Sequence, residues 1–292
     1  TRALLKVQDG CVNFCTYCII PYARGPVRSL PLDQAVEQAK QIVRLGYREL
    51  VVTGIEISSW GADFRDGSSL KDLLAALCQA APELRIRLGS LEPRTVDEAF
   101  CRALSGYGNL CPQFHLSLQS GSDSVLRRMN RKYDCKRYLQ SVQLLRDFFP
   151  GCGVTTDLIV GFPGETEEEF CQSLAFLKTC GFAGVHVFPY SRRTGTPAAD
   201  LPGQLTQAQK ARRSERAIQV VHKLQSAHRE SLVGTRQQVL FEEPDGQGNY
   251  TGHAPDGTLV AAPSQGEDLH NQLRTVLILA PTDQGVRGSL AD

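Results

Sequence analysis

Over its first two-thirds the chain alternates between two hydrophobic rhythms. Short runs rich in aliphatic and β-branched residues read as strands at 3–7, 49–54, 84–89, 113–118, 154–160 and 184–188. Between them the apolar residues recur at helical spacing. Pro31-Leu32-Asp33 opens a helix that runs to Leu45 and is stopped by Gly46. Ser69 caps a helix to about Ala81, with Leu73, Leu74 and Leu77 on one face. Further helices are predicted over 95–104, 122–129, 133–149 and 166–180, the last with an acidic first turn, Glu167-Glu168-Glu169, that suits the helix dipole. The stretch 19–29, with two prolines and a glycine, reads as a loop. Six strands alternating with helices predict a parallel sheet with right-handed crossovers, whose functional site lies at the carboxyl ends of the strands.

After Pro202 the pattern changes. Residues 206–232 read as one long helix with Ile218, Val221 and Leu224 as its apolar positions, and Gly234 breaks it. Short strands at 237–241, 249–253, 258–262 and 274–279, separated by Gly/Asp turns, predict a small β-barrel, with 283–292 either frayed or adding one more edge. The organisation expected is therefore a core over 1–203, a linking helix over 204–234 and a β domain over 235–292. Charge follows the same division. The net charge of +1 splits into −6 for residues 237–292 and +7 for the rest. A basic body is compatible with a polyanionic partner or with an ordinary solvated surface, and the seven basic residues between 204 and 236 allow RNA contact or a solvated helix face. Ten cysteines, with no secretory signal and no run of eighteen apolar residues, favour a reducing cytoplasmic setting without a membrane span. The chain begins at Thr1 and its one methionine is Met129, so a fragment lacking an N-terminal part is expected.

The chemistry concentrates in Cys11-Val12-Asn13-Phe14-Cys15-Thr16-Tyr17-Cys18, which follows the first strand and Gly10. Three thiolates on one loop favour zinc or iron–sulfur. A closed zinc site needs four ligands, and only distant residues, His115 and His186, are candidates for a fourth. On a four-iron cube, three thiolates leave one iron open. Three clustered cysteines cannot all pair among themselves, and the chain is far too long for a disulfide scaffold. Other strand ends carry polar or glycine-rich turns, each with a plain structural alternative. Thr53-Gly54-Ile55-Glu56 allows close backbone approach by a ligand or is a simple turn. Gln119-Ser120-Gly121-Ser122 binds a ribose or carboxylate or caps the next helix. Asp157-Leu158-Ile159-Val160-Gly161-Phe162-Pro163-Gly164 turns tightly into a helix N-terminus, a ready anion site, and Phe188-Pro189-Tyr190-Ser191 ends the sixth strand. Arg24 and Arg28 beside the cysteine loop either meet an anion or are solvated.

The CxxxCxxC loop with an aromatic before its last cysteine resembles the radical S-adenosylmethionine (SAM) superfamily. Together with Asp9-Gly10, Ile20-Pro21-Tyr22-Ala23-Arg24-Gly25, Gln119-Ser120-Gly121-Ser122, Gly161-Phe162-Pro163-Gly164-Glu165-Thr166 and Pro189-Tyr190-Ser191 followed by Gly195-Thr196-Pro197-Ala198, it looks like the radical SAM methylthiotransferases over nearly the whole chain. Within that family, Thr53-Gly54-Ile55-Glu56-Ile57-Ser58-Ser59 and Cys18-Ile19-Ile20-Pro21-Tyr22-Ala23-Arg24-Gly25 look most like the MtaB type. That resemblance implies a partial (β/α)6 barrel with a small C-terminal β-barrel of the RNA-binding TRAM type. It implies a [4Fe–4S] cluster on Cys11, Cys15 and Cys18, and SAM bound by Tyr17, Gly54, Glu56, Gln119, Ser120, Ile159, Gly161 and Phe188, with Tyr17 near the adenine. It implies reductive cleavage of SAM and transfer of a methylthio group to C2 of N6-threonylcarbamoyladenosine at position 37 of the tRNA anticodon loop. A flavodoxin-like electron donor, a monomer and a cytoplasmic location go with it. A second [4Fe–4S] cluster belongs to an N-terminal domain absent here, so the chain alone is expected to reach SAM cleavage at most. A ribosomal-protein substrate, or a non-enzymatic zinc or RNA-binding role, stays open at this point.

Overall fold

The computed structural model describes residues 1–291. The core is built from β1 (Arg2–Asp9), α1 (Ile20–Arg24), β2 (Arg28–Ser29), α2 (Leu32–Arg44), β3 (Glu49–Gly54), α3 (Leu70–Ala80), β4 (Arg85–Leu88), β5 (Ser90–Leu91), α4 (Glu98–Leu104), β6 (Gln113–Leu116), α5 (Asp123–Arg128), α6 (Cys135–Phe148), β7 (Gly153–Val160), α7 (Glu167–Cys180) and β8 (Gly184–Pro189). Its strands form two sheets, ordered β2-β1-β3-β4 and β5-β6-β7-β8. All pairings are parallel except the short antiparallel edge β2. The third predicted strand is the point of division. It breaks at Gly89, whose N–H bonds Val52 O at 2.8 Å, leaving β4 paired with β3 and β5 paired with β6. The parallel sheet expected from the sequence is thus present, curled as a half-barrel with a kink.

Strand alternation sorts the two faces. Leu5, Val7, Leu50, Val52, Phe114, Leu116, Val154, Leu158 and Val160 are buried in the main core cluster, beside Leu70, Leu73, Leu74 and Leu77 of α3. Leu4, Thr155, Asp157, Ile159, His186 and Phe188 point to the opposite, more open face. Local capping sets the helix starts. Ser69 with Asp72, and Thr166 with Glu169, form reciprocal capping boxes. Two predicted boundaries shift for the same reason. The helix expected from 95 starts at Glu98, because Asp97 accepts from Phe100 N–H, and the one expected from 133 starts after the cap Asp134. The predicted 19–29 loop contains α1 and β2; Pro21 sits in the first turn of α1, where its missing N–H costs nothing.

Beyond the core, α8 (Gln207–Ser231) leads to β9 (Arg236–Pro244), β10 (Asn249–His253), β11 (Leu259–Pro263), β12 (Leu273–Pro281) and β13 (Val286–Leu290). These close into a barrel in the order β10-β11-β13-β12-β9 around Val239, Phe241, Val260, Ala262, Val276, Ile278 and Val286. The segment after 283 is therefore neither frayed nor an edge. Its β13 pairs parallel to β11, Val260 opposite Val286, and completes the closure; Asp292 lies outside the described residues. On α8 the buried positions are Lys210, Ala217 and Val221, and Leu224 packs against the core as expected, whereas Ile218 is exposed and lies outside the buried stripe. Several of its basic residues are already engaged. Lys210 bonds Tyr190 O, Arg213 and Arg216 pair with Glu165 and Glu167, and Arg229 bonds the carbonyls of Thr282 and Asp283. No helix among the described residues is long and apolar enough to cross a membrane.

The β-barrel seats against the opening of the half-barrel opposite the cysteine loop. Glu49, at the start of β3, is fully buried and pairs with Arg2, Arg85 and Arg87. Arg85 donates onward to the carbonyls of Gln238 and His253, and Arg87 to those of Ala254 and Pro255.

Candidate metal and cofactor site

The loop after β1 is held in place at both ends. Gly10 has φ +80°, and a Cβ there would lie 1.9 Å from Pro26 O, so only glycine admits the return strand. Cys11 N–H then bonds Gly25 O at 3.1 Å. The Asp9 carboxylate accepts from Lys6, from Arg24 through two nitrogens and from Gly10 N–H, with Arg28 at 3.4 Å. Lys6 and Arg24 hold its pKa well below the usual carboxylate range. Arg24 and Arg28, open to an anion on the sequence alone, are thus committed to bracing the loop. On its far side the loop is tied to the end of α5, by Thr16 N–H to Met129 O, the Thr16 hydroxyl to Arg128 O, and Asn130 to Phe14 O at 2.8 Å. Phe14, between the first two cysteines, adopts φ +48°, a strained conformation for a bulky side chain.

All three loop cysteines are free, Cys15 buried and Cys11 and Cys18 half-buried. Burial pushes the Cys11 and Cys18 thiols up. Cys15 has a partner that sequence reading missed. Arg131 Nη1 lies 3.2 Å from its Sγ, while Arg131 Nε donates to the Tyr133 hydroxyl and the guanidinium stands 4.8 Å from the Tyr133 ring centre. The guanidinium is thus fixed with a positive charge facing the Cys15 sulfur.

Tyr17, Cys18, Gln119, Ile159 and Phe188 line one cavity of about 330 Å³, joined by Asp157, Pro189, Tyr190, Ser191 and Arg193. That volume lies in the range of small-ligand sites. Tyr17 packs with Ile159 beside Phe162 and Tyr190, and burial pushes its phenol well up. Gln119 holds φ +70°, with its N–H on Asp157 O and its own O accepting from Ile159 N–H. Glu56 stands at the cysteine loop, where its carboxylate accepts from Asn13 at 2.9 Å, and burial, then Glu92, raises its pKa.

Glu56 does not line the cavity, and neither do three other predicted residues. Ser120 is fully buried, its hydroxyl 3.3 Å from that of Ser173. Gly54 answers to backbone packing, since a Cβ there would meet Gln8 O at 2.7 Å. Gly161 has φ +71° and would drive a Cβ to 2.6 Å from Lys210 Cγ, while its N–H bonds Glu165. His115 and His186, the distant candidates for closing a zinc site, stand with Asp157 instead.

Three free thiols on one loop, with a guanidinium beside Cys15, fit a cysteine-ligated iron–sulfur cluster.

Residues 5–177 match the model of the radical SAM superfamily. Among curated proteins, the chain is 37% identical over 283 residues to the Bacillus subtilis threonylcarbamoyladenosine tRNA methylthiotransferase MtaB, covering 96% of this chain and 62% of that protein. It is 37% identical to the Chlamydia pneumoniae protein of the same name, covering 99% and 68%. The chain belongs to the radical SAM methylthiotransferases. Its likeness also extends, at 37% identity over 96% of the chain and 62% of the relative, to a tRNA-2-methylthio-N(6)-dimethylallyladenosine synthase of Oleidesulfovibrio alaskensis. The chain thus spans roughly two-thirds or less of the length of these relatives. Solved structures share its fold. They include the methyltransferase TsrM of Kitasatospora setae (TM-score 0.57, 18% identity, 67% of this chain and 38% of that one) and Escherichia coli coproporphyrinogen III oxidase (TM-score 0.56, 18% identity, 76% and 52%).

Radical SAM proteins use a [4Fe–4S] cluster and SAM. The other buried cysteines of this chain are packing groups. Burial pushes the thiols of Cys78, Cys101 and Cys180 up to about 12, far from thiolate reactivity at neutral pH. The residue that most escaped sequence reading is Arg131, because nothing in Asn130-Arg131-Lys132-Tyr133 distinguishes it from a surface cation.

Proposed function

We propose that this chain is the core of a tRNA methylthiotransferase that modifies C2 of N6-threonylcarbamoyladenosine at position 37. The observation that carries the proposal is a loop of three free cysteines whose last member, Cys18, lines a cavity of about 330 Å³, in a chain 37–39% identical to proteins named for that reaction. Cys11, Cys15 and Cys18 would hold the [4Fe–4S] cluster. When bound, it supplies the single electron that cleaves SAM reductively.

The chain's own residues do the binding and orienting. Tyr17, Ile159 and Phe188 offer apolar walls for an adenine, and Gln119 an amide for the ribose or base edge. Glu56, with Gly54 at the end of β3, is placed to accept from the ammonium of the methionine part. Arg131 keeps a positive charge against Cys15 and is a positioning residue. Gly161 and Ser120 act through packing of the strand ends. We assign residues 1–203 to the cofactor-binding core, 204–234 to the link and 235–292 to a TRAM-like barrel. With its acidic balance of −6 over residues 237–292, the barrel would meet tRNA by shape and loop contacts more than by a phosphate grip. A flavodoxin-type donor, action as a monomer and a cytoplasmic setting complete the reading; the ten free cysteines suit that compartment.

The test is anaerobic reconstitution with iron and sulfide, then addition of SAM and dithionite with 5′-deoxyadenosine as readout, for wild type and Cys15→Ala. Product from wild type alone is expected. A fully loaded wild type without product overturns the reading. Salt-dependent binding of a threonylcarbamoylated anticodon stem-loop over its unmodified form tests the substrate.

A further inference from the structure

His115, Asp157 and His186 come from three neighbouring parallel strands and offer one ligand atom each, all within 4.8 Å of one another. The register explains why. Asp157 lies directly opposite His186 across β7 and β8, and His115 lies opposite Thr155, two residues before Asp157 on the same face of β7. They project from the open face of the half-barrel, where Asp157 also lines the cavity that contains Tyr17 and Cys18. His115 Nε2 is 3.2 Å from Asp157 Oδ2, and His115 Nδ1 is 3.0 Å from Thr155 Oγ1. The two imidazole rings are 6.0 Å apart at 37°. Among the described residues, no hydrogen bond to the His186 ring and no Lys or Arg partner of Asp157 occurs.

We infer that His115, Asp157 and His186 form a binding site for one divalent transition-metal ion, separate from the cysteine loop and beside the cavity that Asp157 lines. Two neutral imidazoles and a carboxylate are the donor set that zinc, cobalt, nickel and ferrous iron take, and their summed charge of −1 partly neutralises such an ion. Distance supports this. Two ligands at 2.0–2.1 Å on a tetrahedral centre are about 3.3 Å apart, which the 3.2 Å between His115 and Asp157 already matches. The widest allowed separation, 4.8 Å, leaves the exposed His186 to move inward by about 1.5 Å, within reach of a side-chain rotation. Thr155 occupies the remaining nitrogen of His115, as outer partners of metal-bound histidines do, and so aims Nε2 at the centre. A simple His115–Asp157 hydrogen bond accounts for two of the three residues; His186 is held beside them by ring contacts with His115 and Phe188, with its nitrogens left for a ligand. Three protein ligands leave a position open toward the cavity for water or for an oxygen or nitrogen of a bound molecule.

The test titrates Co²⁺ anaerobically into the chain with its iron–sulfur cluster loaded, so that the cysteines are occupied. It is repeated on Cys11→Ser/Cys15→Ser/Cys18→Ser, which makes the result independent of the cluster and of the proposed activity. One equivalent of cobalt is expected in both proteins, with the weak visible bands of nitrogen and oxygen ligation and no sulfur-to-cobalt charge transfer. His186→Ala and Asp157→Asn should each weaken binding at least 10-fold while melting temperature and iron content stay at wild-type values. Zn²⁺ should displace the cobalt. Absence of stoichiometric cobalt in the triple-serine protein, binding unchanged in His186→Ala, or a sulfur charge-transfer band in place of nitrogen and oxygen ligation would each overturn the inference.

Discussion

Replacing Glu49 with Gln removes one negative charge from a fully buried point where three guanidiniums converge. Its carboxylate receives Arg2 at 2.6 Å, Arg85 at 2.7 Å, and Arg87 through two nitrogens at 3.0 and 3.1 Å. Burial alone would raise its pKa, but Arg87, Arg85 and Arg2 outweigh burial and bring it from 4.5 to about 2. At 1.36 kcal/mol per pH unit this corresponds to roughly 3 kcal/mol of folded-state stability at neutral pH. Breaking a buried ion pair by removing one partner typically costs about 3–5 kcal/mol, so the two estimates agree. The sign follows from the depressed pKa. The contribution is complete above about pH 4.5 and is lost as the pH falls toward 2. Urea unfolding of wild type and E49Q should therefore differ by about 3 kcal/mol at pH 7 and converge on acidification. Because Arg85 and Arg87 also hold carbonyls of the β-barrel, E49Q should speed proteolytic cleavage between α8 and β9. A difference below 1 kcal/mol at pH 7, or one that grows as the pH drops, refutes the reasoning.

Arg131→Met should lower the reduction potential of the loaded cluster and speed its loss in air, since a cation beside Cys15 favours the more negative, reduced state; redox titration followed by electron paramagnetic resonance, with iron content, checks both. Gly54→Ala should cost about 1–3 kcal/mol, because its Cβ would press on Gln8 O at 2.7 Å, and thermal unfolding measures it. Arg216→Ala breaks an exposed pair with Glu167 and should change stability by less than about 1 kcal/mol in the same assay. Val286→Asp buries an unpaired carboxylate in the wall that closes the barrel and should abolish its cooperative unfolding transition, read by near-ultraviolet circular dichroism.

What the chain determines by itself is what its local physics can enforce. The capping pairs Ser69–Asp72 and Thr166–Glu169 act within a few residues, so those helix starts are legible in the sequence. The CxxxCxxC spacing likewise confines three thiols to one loop whatever surrounds it, and the alternation of strands and helices implies a parallel sheet. Other features depend on partners far away in the sequence. Arg131 reaches Cys15 across 116 residues. Arg24 and Arg28 are spent on Asp9, a choice no spacing rule makes for two exposed cations. Ile218 faces solvent because Lys210, Ala217 and Val221 meet the core. A weak terminal segment becomes β13 because β11 and β12 leave a gap that its backbone fills, and an unpaired edge is costly. His115, Asp157 and His186 form a group only through strand register. One residue of slip would send each of these side chains to the other face, so their meeting belongs to the tertiary structure alone.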